Sequence, residues 1–221
     1  MLTGPTGRPN EIAYCVPAVV FAVATSLEGY APAEFYPLAY AAKALAVAVA
    51  LFMCRAIFAD LRWTPGILLP AVIVGLGAFV LWVGIEGWVP YPHLGERTGY
   101  NPFETLSPGA AAAFVAVRLA GLIVLVPVFE ELLWRSFLIR YVTSADFQAV
   151  AHGTFTTTAL LVVSGAAAIS HTEWLSGLLF NVVVCLLLRR TRSVLACVIA
   201  HAVTNAALGA YVLTTGNWQL W

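Results

Sequence analysis

Phe129-Glu130-Glu131-Leu132-Leu133-Trp134-Arg135 sets two adjacent carboxylates and a guanidinium inside an apolar run that extends over 119–139. In water this would be an ordinary helix face. In a bilayer each charge at depth costs roughly 2.5–3.5 kcal/mol on insertion scales, so such charges are rare and tend to carry function. The composition around the stretch decides for the bilayer. Of 221 residues, 61% are hydrophobic and 10% charged, against about 25% charged in a soluble domain. The fold class is therefore all-α: a polytopic transmembrane helical bundle, one integral-membrane domain over 1–221. Formal net charge is zero, which gives no electrostatic footprint for nucleic acid.

Seven apolar stretches can be drawn, with six to eight spans as the bounds: 12–27, 35–58, 66–88, 109–142, 157–170, 174–188 and 194–213. A span needs about 20 residues, so the first, fifth and sixth are marginal. Ala22-Val23-Ala24 resembles a signal-cleavage site, but only Arg8 precedes the first stretch and Glu11 offsets it, so a retained span is expected. Arginines then set the orientation. Arg55 and Arg62 follow stretch two, Arg140 follows stretch four, and Arg189, Arg190 and Arg192 follow stretch six. In a seven-span alternation these loops share one side with Arg8, and Arg97 alone falls opposite. The positive-inside rule places the N-terminus in the cytoplasm and the C-terminus outside.

Stretch four would be about 50 Å long at helical rise, and Pro127 is the place for it to kink. Ala112, Ala116 and Ala120 recur every fourth residue and predict a close-packing stripe. Trp174 and the Arg189–Arg192 cluster predict interfacial anchors for stretch six. The segment 89–108 reads as an ordered interfacial loop, with gating as a further possibility. Cys15, Cys54, Cys185 and Cys197 form no C-x-x-C pair and are expected to be small buried hydrophobes. No internal repeat supports an inverted-repeat transporter.

The polar residues left in apolar context are Glu130, Glu131, Arg135, His171, His201 and Asn205. Glu131 and Arg135 are i, i+4 on a helix and predict a buried ion pair. Glu130 points about 100° away from Glu131 and has no cation at pairing distance. A carboxylate buried in that way is a stronger base than one in water, which suits a general base near neutral pH. His171 closes a run of small residues and is followed by Thr172 and Glu173, so an interfacial histidine is its plain structural role. His201 and Asn205 are i, i+4 on one helix face, where helix-to-helix hydrogen bonding is the plain alternative. Together, a carboxylate and histidines can deprotonate a water, and an amide can donate to an oxyanion. There is no G-x-S-x-G, no cysteine beside the histidines and no H-E-x-x-H. Two histidines and a glutamate could also ligate zinc.

Glu130-Glu131-x-x-x-Arg135, His171, and His201-x-x-x-Asn205 resemble the CPBP (ABI) family of CAAX prenyl endopeptidases and bacteriocin-processing or immunity proteins. The resemblance covers 110–210 as a catalytic core, with 1–109 as accessory spans and an outer loop. It implies an intramembrane endopeptidase of glutamic type. Glu130 would activate the water, His171 and His201 position it, and Asn205 stabilise the oxyanion, with Glu131 and Arg135 in support. No cofactor is implied; the zinc alternative would use Glu130, His171 and His201. Where the family commonly has phenylalanine four residues before the histidine, this chain has Ala167, which would widen the pocket. Residues 173–179 and the later Arg-Arg-Thr resemble a bacterial branch associated with exosortase-type sorting. That implies a bacterial inner (plasma) membrane and a membrane protein or peptide as substrate, rather than a prenylated protein. Two further readings remain: a non-enzymatic immunity or scaffold protein that keeps the fold, and a channel or transporter that uses the buried charges.

Overall fold

In a computed structural model that describes residues 9–96 and 99–220, seven helices of 12 residues or more follow the seven apolar stretches. They are α1 (Glu11–Glu28), α2 (Tyr36–Met53), α3 (Leu68–Trp88), α4 (Pro108–Thr143), α5 (Thr157–Ala168), α6 (Trp174–Thr191) and α7 (Val194–Thr215). Among the described residues there is no strand. Six of the helices are long and apolar enough to cross a membrane; α5, with 12 residues, is not. At about 1.5 Å per residue α5 covers some 18 Å, well short of a bilayer core of about 30 Å. The fifth stretch is thus no span by itself. Arg8 and Arg97, used above to orient the chain, lie outside the described residues.

The buried face of α4 decides how the bundle closes. Its outer half packs through Ala111, Phe114 and Arg118. Ala112, Ala116 and Ala120 are exposed, which corrects the expected close-packing stripe. Bulk wins over smallness here: Phe114 meets Tyr36, Tyr40 and Tyr100 in an aromatic cluster, and the alanines take the opposite face. The irregularity expected at Pro127 takes the form of a π segment, Gly121–Leu125, immediately before it. A second π segment, Leu132–Leu138, follows Glu131 and has no proline to announce it.

α3 and α7 approach most closely at Gly75. A Cβ there would lie 2.5 Å from the Ala200 carbonyl oxygen and 2.8 Å from Val203 Cβ. Thr204 exploits the contact by donating to Gly75 O at 2.8 Å. This seam carries His201 and Asn205, so their placement depends on the missing side chain at position 75. Three of the four cysteines are buried and all are free thiols, as small hydrophobes would be.

Among the described residues several buried charges fall into separate groups. Lys43 pairs with Glu28. At the arginine-rich end Asp60 Oδ2 accepts from Tyr14 at 2.6 Å, from Ser136, and from Arg140 at 3.4 Å. Arg192 donates to Thr154 at 2.9 Å and Arg189 to the Phe155 carbonyl at 3.4 Å, so α5 starts where α6 ends. At the opposite end the loop after α3 reaches the turn after α5: Leu94 N–H donates to Thr172 O at 3.0 Å, and Trp174 Nε1 to Pro92 O at 2.8 Å. Trp174 is therefore held by that loop, beyond its expected role as an interfacial anchor.

Gly75→Ala is expected to lower the thermal midpoint of the detergent-solubilised protein, by the roughly 1–3 kcal/mol that overpacking costs, because backbone rather than a flexible side chain must move. An unchanged midpoint would refute the close seam. A second outcome concerns pH. Burial and the Arg140 guanidinium push His152 down to about 4, against an opposing pull from Asp60. An unfolded chain takes that proton near 6.5, so acidification between about 6.5 and 4 favours unfolding. The midpoint should fall from pH 7 to pH 5, and by less in His152→Gln; equal falls would show that His152 is not responsible.

Candidate active site

Glu131 is fully buried and serves two partners at once. Its Oε2 lies 3.1 Å from Arg135 Nε and its Oε1 lies 2.8 Å from His201 Nδ1. The Arg135 contact is a close ion pair rather than a well-aligned hydrogen bond. Arg135 is 1% exposed and also reaches the Asn181 carbonyl at 3.5 Å. The pairing expected from i, i+4 spacing is thus present, although Arg135 lies in a π segment. What spacing could not show is the third member, His201, brought from α7.

That third contact fixes the imidazole's chemistry. A carboxylate can only accept, so Nδ1 of His201 donates to Glu131 and Nε2 is the ring nitrogen left for another partner. The ring is wedged against Phe180, with centroids 4.8 Å apart, and forms part of a cavity wall.

The cavity has a volume of about 680 Å³, within the usual range for small-molecule and peptide pockets. Glu130, His171, His201 and Asn205 all line it, while Glu131 and Arg135 do not. The two adjacent glutamates therefore part company as the 100° step predicts: one faces the cavity, the other the protein interior. Glu130 makes no hydrogen bond or ion pair among the described residues. His171 sits in the turn after α5 with Trp82 of α3 edge-on to its ring, centroids 5.9 Å apart.

Asn205 is held by a defect in α4. In the π segment Val126 N–H donates to Gly121 O, five residues back. The next donor in that register, to Leu122 O, would be residue 127, which is proline and has no N–H. Leu122 O is left without a backbone partner, and Asn205 Nδ2 donates to it at 2.7 Å. One amide N–H is thereby used for placement and the other remains for the cavity.

Much of the remaining wall comes from parts of the chain with no sequence signal for chemistry. α1 supplies Ala18, Phe21, Ala22 and Thr25, and α3 supplies Trp82. Apolar residues in apolar spans look alike until packing selects among them. Ala167 is fully buried and lies outside the cavity wall, so its small size does not widen the pocket as expected. For zinc, Glu130, His171 and His201 would have to converge on one ion. Among the described residues no three His, Cys, Asp or Glu side chains are gathered in that way, and His201 has only Nε2 to offer. The set does not fit the metal as it stands.

Residues 111–207 match the family described as Type II CAAX prenyl endopeptidase Rce1-like. This is the family resemblance read from the Glu-Glu, His and His-Asn motifs. No curated protein and no solved structure matches the chain. The Rce1-like match contains all six motif residues and supports an intramembrane endopeptidase in general. Together with six apolar helices of spanning length, it supports an integral membrane protein.

Removing the Asn205 amide should leave Leu122 O unsatisfied, at a cost of about 1–3 kcal/mol. In a Pro127→Ala background residue 127 regains an N–H for that carbonyl, so the cost of Asn205→Ala should shrink. A double-mutant cycle of unfolding in micelles measures this, and additive effects would break the proposed link between the proline and the asparagine.

Proposed function

We propose that the protein is a glutamic intramembrane endopeptidase that cleaves an apolar, membrane-associated protein or peptide. The observation that carries the reading is that Glu130, His171, His201 and Asn205 all line one cavity whose lining is otherwise largely apolar. Glu130, without a partner of its own, takes a proton from a water. The water oxygen attacks the scissile carbonyl carbon. His201 Nε2 accepts a hydrogen bond from the water's other O–H, whose proton stays on the attacking oxygen; the ring is oriented by the contact of Nδ1 with Glu131. His171 holds the water from the opposite chain segment. The free N–H of Asn205 donates to the oxyanion of the tetrahedral intermediate. Glu130 then returns its proton to the departing amine, and the peptide bond breaks. No step requires a metal or another cofactor.

The setting we propose is a bacterial plasma membrane with the arginine-rich end in the cytoplasm. The support is the gathering of Arg62, Arg140, Arg189 and Arg192 about the start of α5 and the end of α6, in line with the positive-inside rule. The substrate we propose is a bacterial membrane or sorted protein.

Cleavage of apolar fluorogenic peptides in micelles, and of co-expressed single-span reporters, tests the chemistry. Glu130→Gln should lower turnover by about 10²- to 10⁴-fold, the usual worth of a general base, with insertion and thermal midpoint unchanged. His171→Ala, His201→Ala and Asn205→Ala should each reduce it as well. Full activity in Glu130→Gln would remove the general base from the mechanism. Loss of wild-type activity on chelation, restored by zinc, would favour the metal alternative.

A further inference from the structure

His171 is the one imidazole of the cavity with no polar anchor. Its side chain makes no hydrogen bond or ion pair among the described residues, whereas His201 is tied to Glu131. His171 is held by shape. Trp82 stands edge-on at one side, and the backbone of Gly177 closes the other: a Cβ at Gly177 would lie 3.1 Å from His171 Cδ2. The ring's position thus depends on where α6 starts. Ser176, the residue beside Gly177, is buried in the first turn of α6 and donates to Glu86 Oε1 at 2.6 Å. Glu86 lies on α3 one turn after Trp82, on the same face.

The geometry points to Glu86 as a positioning residue for His171, acting through Ser176 and the first turn of α6. This rests on the endopeptidase reading above. Glu86 is built for such a task. Its side chain is 2% exposed and also accepts from Tyr91 on Oε1 and from His93 Nε2 on Oε2 at 2.9 Å. Burial and the adjacent carboxylate push the Tyr91 phenol up to about 12, so it keeps its proton and donates it throughout the neutral range. Both residues belong to the loop after α3, which also reaches Thr172 through Leu94. One buried carboxylate therefore joins α3, that loop and the first turn of α6 around the His171 turn. Hydrogen bonds to a charged acceptor are the stronger kind, and a reacting group displaced by about 1 Å can lose 10²-fold in rate.

The test uses the full-length protein in micelles. Glu86→Ala should lower kcat by about 10- to 100-fold with little change in KM. Glu86→Gln keeps an acceptor for Ser176 and should recover most of the loss. In a His171→Ala background, Glu86→Ala should add no further loss. A second readout does not depend on cleavage: diethyl pyrocarbonate labelling, read by peptide mass. His171 should label several-fold faster in Glu86→Ala, while His201 keeps its rate. Wild-type kcat and unchanged His171 labelling in a folded Glu86→Ala protein would overturn the proposal. If Glu86→Ala does not fold, Ser176→Ala decides: faster His171 labelling supports the proposal and an unchanged rate overturns it. If the wild-type protein cleaves nothing, the endopeptidase reading fails, and the labelling still reports whether Glu86 positions His171.

Discussion

The buried carboxylate of Glu131, shared between Arg135 and His201, is the constraint on which the rest of the bundle depends. A charge at that position is tolerable only with its counter-charge and hydrogen bonds in place, and breaking such a pair by removing one member costs about 3–5 kcal/mol. Satisfying it requires α4 and α7 to meet at one point. It also turns the neighbouring residue, Glu130, toward the cavity, and leaves His201 with one nitrogen committed and one available. A buried ion pair and part of the cavity wall thus come from the same short stretch of α4 and its contact with α7.

The Gly121–Leu125 segment works by the opposite means. There the helix gives up a backbone hydrogen bond, and the loss creates a binding point for a side chain from another helix. The proline removes a donor, the π register moves the vacancy to Leu122, and Asn205 occupies it. Both features place α7 against α4, one by charge and one by a missing N–H. Gly75 fixes the other side of α7 by leaving no side chain between it and α3.

Much of this was legible in the sequence. Helix boundaries follow the apolar stretches closely, because membrane length and composition leave few alternatives. The division between Glu130 and Glu131 follows from helical angle alone. Other features were not legible, each for a physical reason. The alanine stripe pointed to the wrong face of α4, since spacing gives a shared face but not which face is packed. The π segment at Leu132–Leu138 has no residue that requires it. Trp82, Phe180 and the α1 residues that close the cavity are apolar residues among apolar residues, and only tertiary packing distinguishes them. Glu86 sits one turn beyond Trp82 near the end of α3, where a lone carboxylate looks like an interfacial charge.

The shortness of α5 has a consequence for where water can reach the cavity. The chain leaves helical geometry after Ala168, and irregular backbone within a bilayer must be covered by protein or bathed by solvent. Here the turn contributes Ser170, His171, Thr172 and Glu173 to the cavity, whereas Ala18, Phe21, Ala22 and Val126 line it elsewhere. The cavity thus has a polar end and an apolar end. On the proposed endopeptidase reading, the polar end is the route for water, the apolar end against α1 is the place for a segment of substrate, and Glu130 lines the same cavity. The same reading makes the scissile bond one at the end of an apolar stretch, so that the position of the cut is measured by the membrane as much as by the sequence being cut.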